Sequence, residues 1–454
     1  MRAAAVQHLV FVDTSVLGLR AMEYAKERGD SVTLLWSSRY DFMHTPATRA
    51  RSRDLADRAV EVTELHDPRA ALRALRAAGV RTDGIAGDGT DGGRIDGGRI
   101  DGVIATLHML AEPAARLAEL TGARGPSLRG VAAARDKVAC RRVLDEHGLP
   151  NVRYAEVTEA AAALAAAADI GFPVVVKPVC GVGKNVTTFA RSPEDVERHF
   201  QEAGDRLDSL EQGFAVDLDD RYIVEEVAVG PLYSVEVATD GTTYTPLVTV
   251  RRKLGLGNPV LELGSTVPCG LSPAAERELG AYAVDVCRAL GLDLGLFHVE
   301  VIGTADGPRL VEVNPRIAGG TVPEVIRAAT GRGLFEVLVD LYAGEPLSPE
   351  PFPVETAASH TFLAAQEDCV VRDDLPADWF EAFRPRLHSG STSIGPGSRL
   401  LGMEGNTTTY GVIRVVAEDA ARAEAACAEL REEIAELLGF PMVPPAPGLL
   451  EACS

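Results

Sequence analysis

The chain is predicted to be an α/β protein, and three observations carry that prediction. It opens on a βαβ pattern: an apolar run at 9–12, a helical stretch at 17–28 closed by Gly29, and a second strand-like run at 31–36. From Asp136 onward, helix-like and strand-like segments alternate. Near residue 300, two runs of β-formers, 296–302 and 309–313, flank Asp306-Gly307, a hairpin turn signal.

The elements follow in order. Asp13-Thr14-Ser15 after the first strand is placed to cap the next helix. No G-x-G-x-x-G occurs here, so nothing marks this first Rossmann-like unit as a nucleotide binder. A helix over 68–78 stops at Gly79. Residues 92–102 then repeat a five-residue Gly/Arg/Ile/Asp unit, which predicts a flexible surface insertion over about 85–100. A strand at 103–106 and a helix at 111–121 complete the unit. Beyond Asp136, an Ala-rich helix at 159–168 is followed by strands at 173–177, 222–226, 234–239 and 245–250. Ser272-Pro273 reads as an N-cap with proline at the first helical position, opening a helix to 290. The proline-rich stretch 344–353 reads as a linker. A strand at 411–416 and a helix at 419–438 make the last hundred residues a small α+β cap. The predicted division is 1–125, 126–345 and 346–454, with a lid subdomain at about 150–225.

With 454 residues, 46% apolar and 24% charged, the composition is that of a soluble multidomain protein. A net charge of −21 excludes a phosphate-backbone binder, so no nucleic acid partner is expected. No run approaches the ~18 apolar residues of a membrane span, and the N-terminal apolar run is too short for a signal peptide. Seven scattered cysteines (Cys140, Cys180, Cys269, Cys287, Cys369, Cys427 and Cys453) lack metal-type pair spacing and suit free thiols in a cytoplasmic protein.

Three motifs carry chemistry. In the hairpin, a turn centred on Asp306 sets Glu300 opposite Glu312 on one face, with Asn314 one step beyond. Like charges so placed, with Cβ atoms roughly 4.5–5.5 Å apart, destabilise a sheet. A hard divalent cation held by carboxylate and amide oxygens turns the repulsion into binding. A solvated face with the register shifted by one is the alternative. The second motif is a buried strand delivering Lys177, then a turn with Gly181, Gly183 and Lys184, where glycines let backbone N–H groups approach phosphate. The G-x-x-x-x-G-K-[ST] spacing is absent, and taken alone the motif fits a hairpin with an incidental lysine better. The third is a strand ending in Glu225-Glu226, followed by a bend whose backbone can face a flat heterocycle. An ordinary hairpin with exposed glutamates is its alternative.

In this order, and with Arg135-Asp136-Lys137 opening a helix upstream, the motifs resemble the ATP-grasp superfamily. The carboxylate–amine ligase branch, which includes the L-amino-acid (dipeptide) ligases, is the nearest match. The resemblance spans residues 103 to about 340 well and the rest in outline. It implies an ATP-grasp fold with a Rossmann-like pre-ATP-grasp domain before it and an α+β cap after it. It also implies ATP and magnesium, with manganese able to substitute. Lys137 and Lys177 match the lysines that hold the phosphates, and Gly181, Gly183 and Lys184 fall in the lid loop. Glu225, Glu226, Val227 and Ala228 match the adenine hinge. Glu300, Glu312 and Asn314 match the metal ligands, and Arg316 matches the arginine that steadies an acyl phosphate. Gly319 and Gly320 leave room for substrate. Glu262 resembles the acid that meets a substrate amino group, though a strand-edge charge fits as well.

The chain departs from the pattern at the lid, at Leu232 (often a ribose-binding glutamate) and at Ser265 (commonly histidine), which is still expected among the substrate-binding residues with Glu262, Arg316, Gly319 and Gly320. Arg251-Arg252-Lys253 reads either as a substrate or phosphate contact or as a solvated loop, and His298 as a core or a supporting histidine. The implied activity joins a carboxylate, expected from an amino acid, to an amine through an acyl phosphate. Bicarbonate activation of the biotin-carboxylase kind and a non-catalytic nucleotide-binding protein are the alternatives. Small-molecule substrates are the expected partners. The sequence leaves the oligomeric state open, and dimers are common in the superfamily.

Overall fold

The computed structural model describes residues 6–82, 99–181, 186–208, 220–256, 258–403, 405 and 408–446. The expected insertion at 85–100 and the duplicated run at 92–102 lie, but for residues 99–102, outside them.

Three sheets organise these residues. The first is built from β1 (His8–Val12), β2 (Ser31–Trp36), β3 (Arg58–Glu61) and β4 (Gly102–Ile104), ordered β3-β2-β1-β4 and parallel throughout. Helices α1 (Val16–Arg28), α2 (Pro46–Leu55) and α3 (Pro68–Ala77) are its connections. Ser15 caps α1 by accepting from the Leu17 amide, as the Asp13-Thr14-Ser15 run suggested. Then come α4 (Ala111–Thr121), α5 (Leu128–Arg135) and α6 (Lys137–Glu146), the last capped by Asp136 through the Ala139 amide.

The second sheet is antiparallel: β5 (Tyr154–Val157), β6 (Val174–Pro178), β7 (Thr188–Ala190) and β8 (Tyr222–Glu226), ordered β5-β8-β6-β7. Helices α7 (Ala160–Ile170) and α8 (Pro193–Asp208) cover one face, with Ala163, Ala167 and Val196 packed on Val174, Val176 and Val224. Small side chains on α7 let it sit close to the strands.

The third sheet holds β9 (Leu232–Thr239), β10 (Tyr244–Gly255), β11 (Asn258–Val267), β12 (Gly295–Thr304), β13 (Gly307–Asn314), β14 (Ala357–Leu363), β16 (Ser389–Thr392) and β18 (Gly411–Ala417). Its order is β13-β12-β9-β10-β11-β14-β18-β16, so it runs unbroken past residue 345. A separate pair joins β15 (Cys369–Val370) to β17 (Arg399–Leu400). Helices α9 (Pro273–Leu290), α10 (Val322–Thr330), α11 (Leu334–Ala343) and α12 (Ala420–Leu438) pack around it. Ser272 caps α9 and Pro273 is its first residue, as the sequence predicts.

Strand alternation gives this sheet two chemically different faces. Tyr233, Val235, Val237, Val299 and Val301 pack beneath α9. The alternate residues Ser234, Glu236, His298 and Glu300 are buried on the other face. Burying four polar residues there needs partners, and the partners define the site.

Strand β10 is longer than the 245–250 expected. It carries Arg251, Arg252 and Lys253 in register with Thr266, Ser265 and Gly264 of β11. The basic triplet is therefore strand, and the solvated-loop reading is corrected: a bulge after Lys253 lets the pairing continue where the charges suggested a loop.

Candidate active site

In the hairpin β12–β13, Glu300 pairs directly with Glu312 and His298 with Asn314, so the expected register holds, with a bulge just after Glu300. Glu300 is buried and Glu312 half-buried. The Asn314 Nδ2 donates to Glu312 Oε1 at 2.9 Å. His298 stands between two carboxylates, with Nδ1 2.6 Å from Glu236 Oε1 and Nε2 3.3 Å from Glu300 Oε1. Burial alone would lower its pKa; Glu236 and Glu300 override that and raise it to about 9. At neutral pH it is therefore an imidazolium donating from both nitrogens. Arg252 ion-pairs with Glu262 and brings Nη1 to 3.5 Å from His298 Nε2. The half-buried Arg316 guanidinium has its pKa lowered by desolvation, opposed by Glu312, Glu300, Glu236 and Glu262, and its Nη2 reaches Asn314 Oδ1 at 3.4 Å. Four carboxylates thus converge on three cations.

Facing the hairpin is a cleft between the second and third sheets, lined by Lys137, Lys177, Gly181, the 225–228 segment and Glu312. Lys137 opens α6 and Lys177 sits near the end of β6, so two separate elements aim ammonium groups at one space. Lys177 Nζ lies 2.7 Å from Glu225 Oε2, and Arg141 Nε donates to Glu225 Oε1 at 2.8 Å. Burial would raise the Glu225 pKa, but Arg141 and Lys177 bring it down to about 2. Desolvation lowers that of Lys137, with Glu312 opposing.

Glu225 lines the cleft with a carboxylate committed to Arg141 and Lys177. What 225–228 offers a heterocycle is therefore backbone. Glu226, Val227, Ala228 and Gly181 also line the cleft; Gly183 and Lys184 fall outside the described residues. Leu232, in place of an acid, forms an apolar patch with Leu254 and Ile302 against Val227 and Ala228. Ser265 is fully buried and its hydroxyl is taken by His360 Nδ1 at 3.0 Å. Gly320 has a φ of 59°, which favours glycine for backbone reasons. A Cβ on Gly319 would stand 3.5 Å from the Arg316 guanidinium, an ordinary contact.

Three contributors escaped the sequence reading. Arg141 sits one turn after Lys137 on α6, and that i+4 spacing was its only signal. Glu236 lies inside a wholly buried strand, and its only sequence signal was an acid within an apolar run. His108, from the loop after β4, donates from Nδ1 to Asn314 Oδ1 at 2.9 Å across 206 positions of sequence, and no local pattern announces it.

Residues 170–324 match the family model described as ATP-grasp domain. The chain carries an ATP-grasp domain. A D-alanine--D-alanine ligase of Ectopseudomonas mendocina is 31% identical over 221 residues, 45% of this chain and 64% of that protein. An alanine--anticapsin ligase of Bacillus subtilis is 25% identical over 242 residues, 50% of this chain and 51% of that one. The chain therefore aligns with roughly half to under two thirds of these relatives. In three dimensions, an L-amino acid ligase from Bacillus licheniformis superposes with a TM-score of 0.72 over 94% of this chain and 97% of that one, at 19% identity. The parallel N-terminal sheet and the large antiparallel sheet are thus an ATP-grasp arrangement. Among the described residues, no helix is long and apolar enough to cross a membrane.

Proposed function

We propose that the protein is an ATP-dependent carboxylate–amine ligase that activates an amino acid carboxylate as an acyl phosphate and passes it to an amine, giving a dipeptide or related amide. The observation that carries this reading is that Lys137 and Lys177 share one cleft with Glu312, on the hairpin that pairs Glu312 with Glu300 and also carries Asn314. The ligase relatives support the same class of reaction.

The residues fit a magnesium ion. No group of three His, Cys, Asp or Glu suited to a metal occurs among the described residues. The candidate donors are instead two opposed carboxylates and an amide oxygen, the hard set that magnesium takes. Glu236 Oε2, next to them, is buried without a hydrogen-bond partner among the described residues, so the face is short of positive charge. Glu300, Glu312 and Asn314 would hold the ion, which supplies charge neutralisation on the transferring phosphoryl group.

The chain's own groups do the rest. Lys137 and Lys177 hold the nucleotide phosphates, and the 225–228 backbone receives the adenine. Arg316 faces the developing acyl phosphate and then the tetrahedral centre formed when the amine attacks. His108 and His298 keep Asn314 and Glu300 in place. Glu262 and Arg252 form the nearby charged pair that meets the substrate's polar groups, and Gly319-Gly320, just after Arg316, leave side-chain room for it. Positioning and charge stabilisation account for the catalysis, and no protein nucleophile is needed.

The test is phosphate release from ATP and magnesium, screened over amino acids singly and in pairs, with mass spectrometry of the products. Turnover that needs a pair, with a product lighter than the two substrates by one water, is expected. Turnover with bicarbonate but no amino acid would replace the ligase reading by bicarbonate activation. Tight ATP binding with no turnover across the panel would make the protein a nucleotide binder.

A further inference from the structure

Behind the nucleotide cleft lies a second pocket of about 500 Å³, between strand β10 and helix α12. Its walls include Arg251, Arg252, Lys253 and Arg431. Strand alternation sends Arg251 and Lys253 to one side of β10, Arg252 reaches the pocket from the other, and the pocket shares only Leu232 and Leu254 with the cleft.

The charges here are poorly compensated. No carboxylate pairs with Arg251 among the described residues. Lys253 Nζ donates to the neutral Ser359 hydroxyl at 2.7 Å. Arg431 gives Nη1 to the Val443 carbonyl at 2.7 Å, and its Glu432 contact is a long 4.0 Å. Glu424 is the one acid in the lining. Burial lowers the Lys253 pKa, and the nearby Arg251 and Arg431 push it the same way, against Glu424. Arg252 also lines the pocket but is taken by Glu262; in a chain of net charge −21, the three remaining cations gathered over one acid in a concave pocket are not background. The volume is that of a small-molecule site.

We propose that this pocket is a second binding site, for a small dianion of the phosphate or dicarboxylate kind, distinct from the nucleotide cleft. Arg251 and Arg431 would take the anion by charge-assisted hydrogen bonds, and Lys253 would supply a point charge from the floor.

The experiment is calorimetric titration of the full chain with inorganic phosphate and, separately, with malonate, repeated with the cleft saturated by MgADP. One site is expected, retained under MgADP and in Lys177→Ala. It should weaken at least tenfold in Arg251→Gln/Arg431→Gln, whose melting temperature and MgADP affinity stay at wild-type values. The dianion that binds more tightly names the class. Loss of binding under MgADP would place the anion in the cleft and overturn the proposal. So would equal binding by the double variant, or an affinity too weak to titrate with both anions. None of these outcomes depends on which ligation the protein performs.

Discussion

The two walls of the cleft solve opposite electrostatic problems. On the lysine side, Lys137, Lys177 and Arg141 outnumber Glu225 and Glu226, the latter taken by the Arg153 amide, so the wall carries surplus positive charge at the place where phosphates would lie. On the hairpin side, Glu236, Glu262, Glu300 and Glu312 outnumber His298, Arg252 and Arg316, which leaves surplus negative charge. One wall is an anion site and the other a cation site. A nucleotide triphosphate with its metal would satisfy both at once. The walls also differ in rigidity of pairing: Glu225 is saturated by two cations, whereas Glu236 keeps a buried oxygen without a partner among the described residues.

Breaking the cation wall should have the largest effect. Glu312→Ala is expected to cut phosphate release by about 10²–10³-fold or more, with circular dichroism and melting unchanged. A Glu312→Ala protein of full activity would remove the metal assignment altogether. Arg316→Lys keeps the charge but loses the planar fork, and should lower kcat by about 10²-fold while MgADP affinity, read by calorimetry, holds.

The anion wall should answer in stability as well. Glu225→Ala strands two buried cations, and chemical denaturation is expected to show a loss of about 3–5 kcal/mol. Its pH dependence sharpens the point. The Glu225 pKa falls from 4.5 to about 2 on folding, so its contribution is complete above about pH 4.5 and is lost as pH falls toward 2. Glu225→Gln should flatten that acid limb of a melting-temperature profile; an unchanged limb would show that other carboxylates control it. Smallest of all, Gly320→Ala places a Cβ at a φ of 59° and should cost about 1 kcal/mol, read as a modest drop in melting temperature.

How much was legible in advance varies with the range of the interaction. The Glu300–Glu312 pairing could be read because Asp306-Gly307 fixes the turn and strand alternation fixes the rest. The caps of α1, α6 and α9 were equally local. Lys137 and Lys177 were found by resemblance, and the structure sets both in one cleft. The bulge that carries β10 through Arg251–Lys253 was hidden, because a run of charges looks like a loop until a neighbouring strand pairs with it. Glu225 was read as a hinge residue, and nothing nearby in sequence showed that Arg141, 84 positions away, would claim its carboxylate.

The sequence by itself determined the α/β class, the order of the elements and which acids share a hairpin face, because periodicity and turn chemistry act over a few residues. Only the tertiary structure decided what those acids meet. His108 on Asn314, Glu236 on His298, and Arg141 with Lys177 on Glu225 join residues far apart in the chain. Such pairs form because buried charge must find a partner once packing has excluded water, and packing alone sets which partner is within reach.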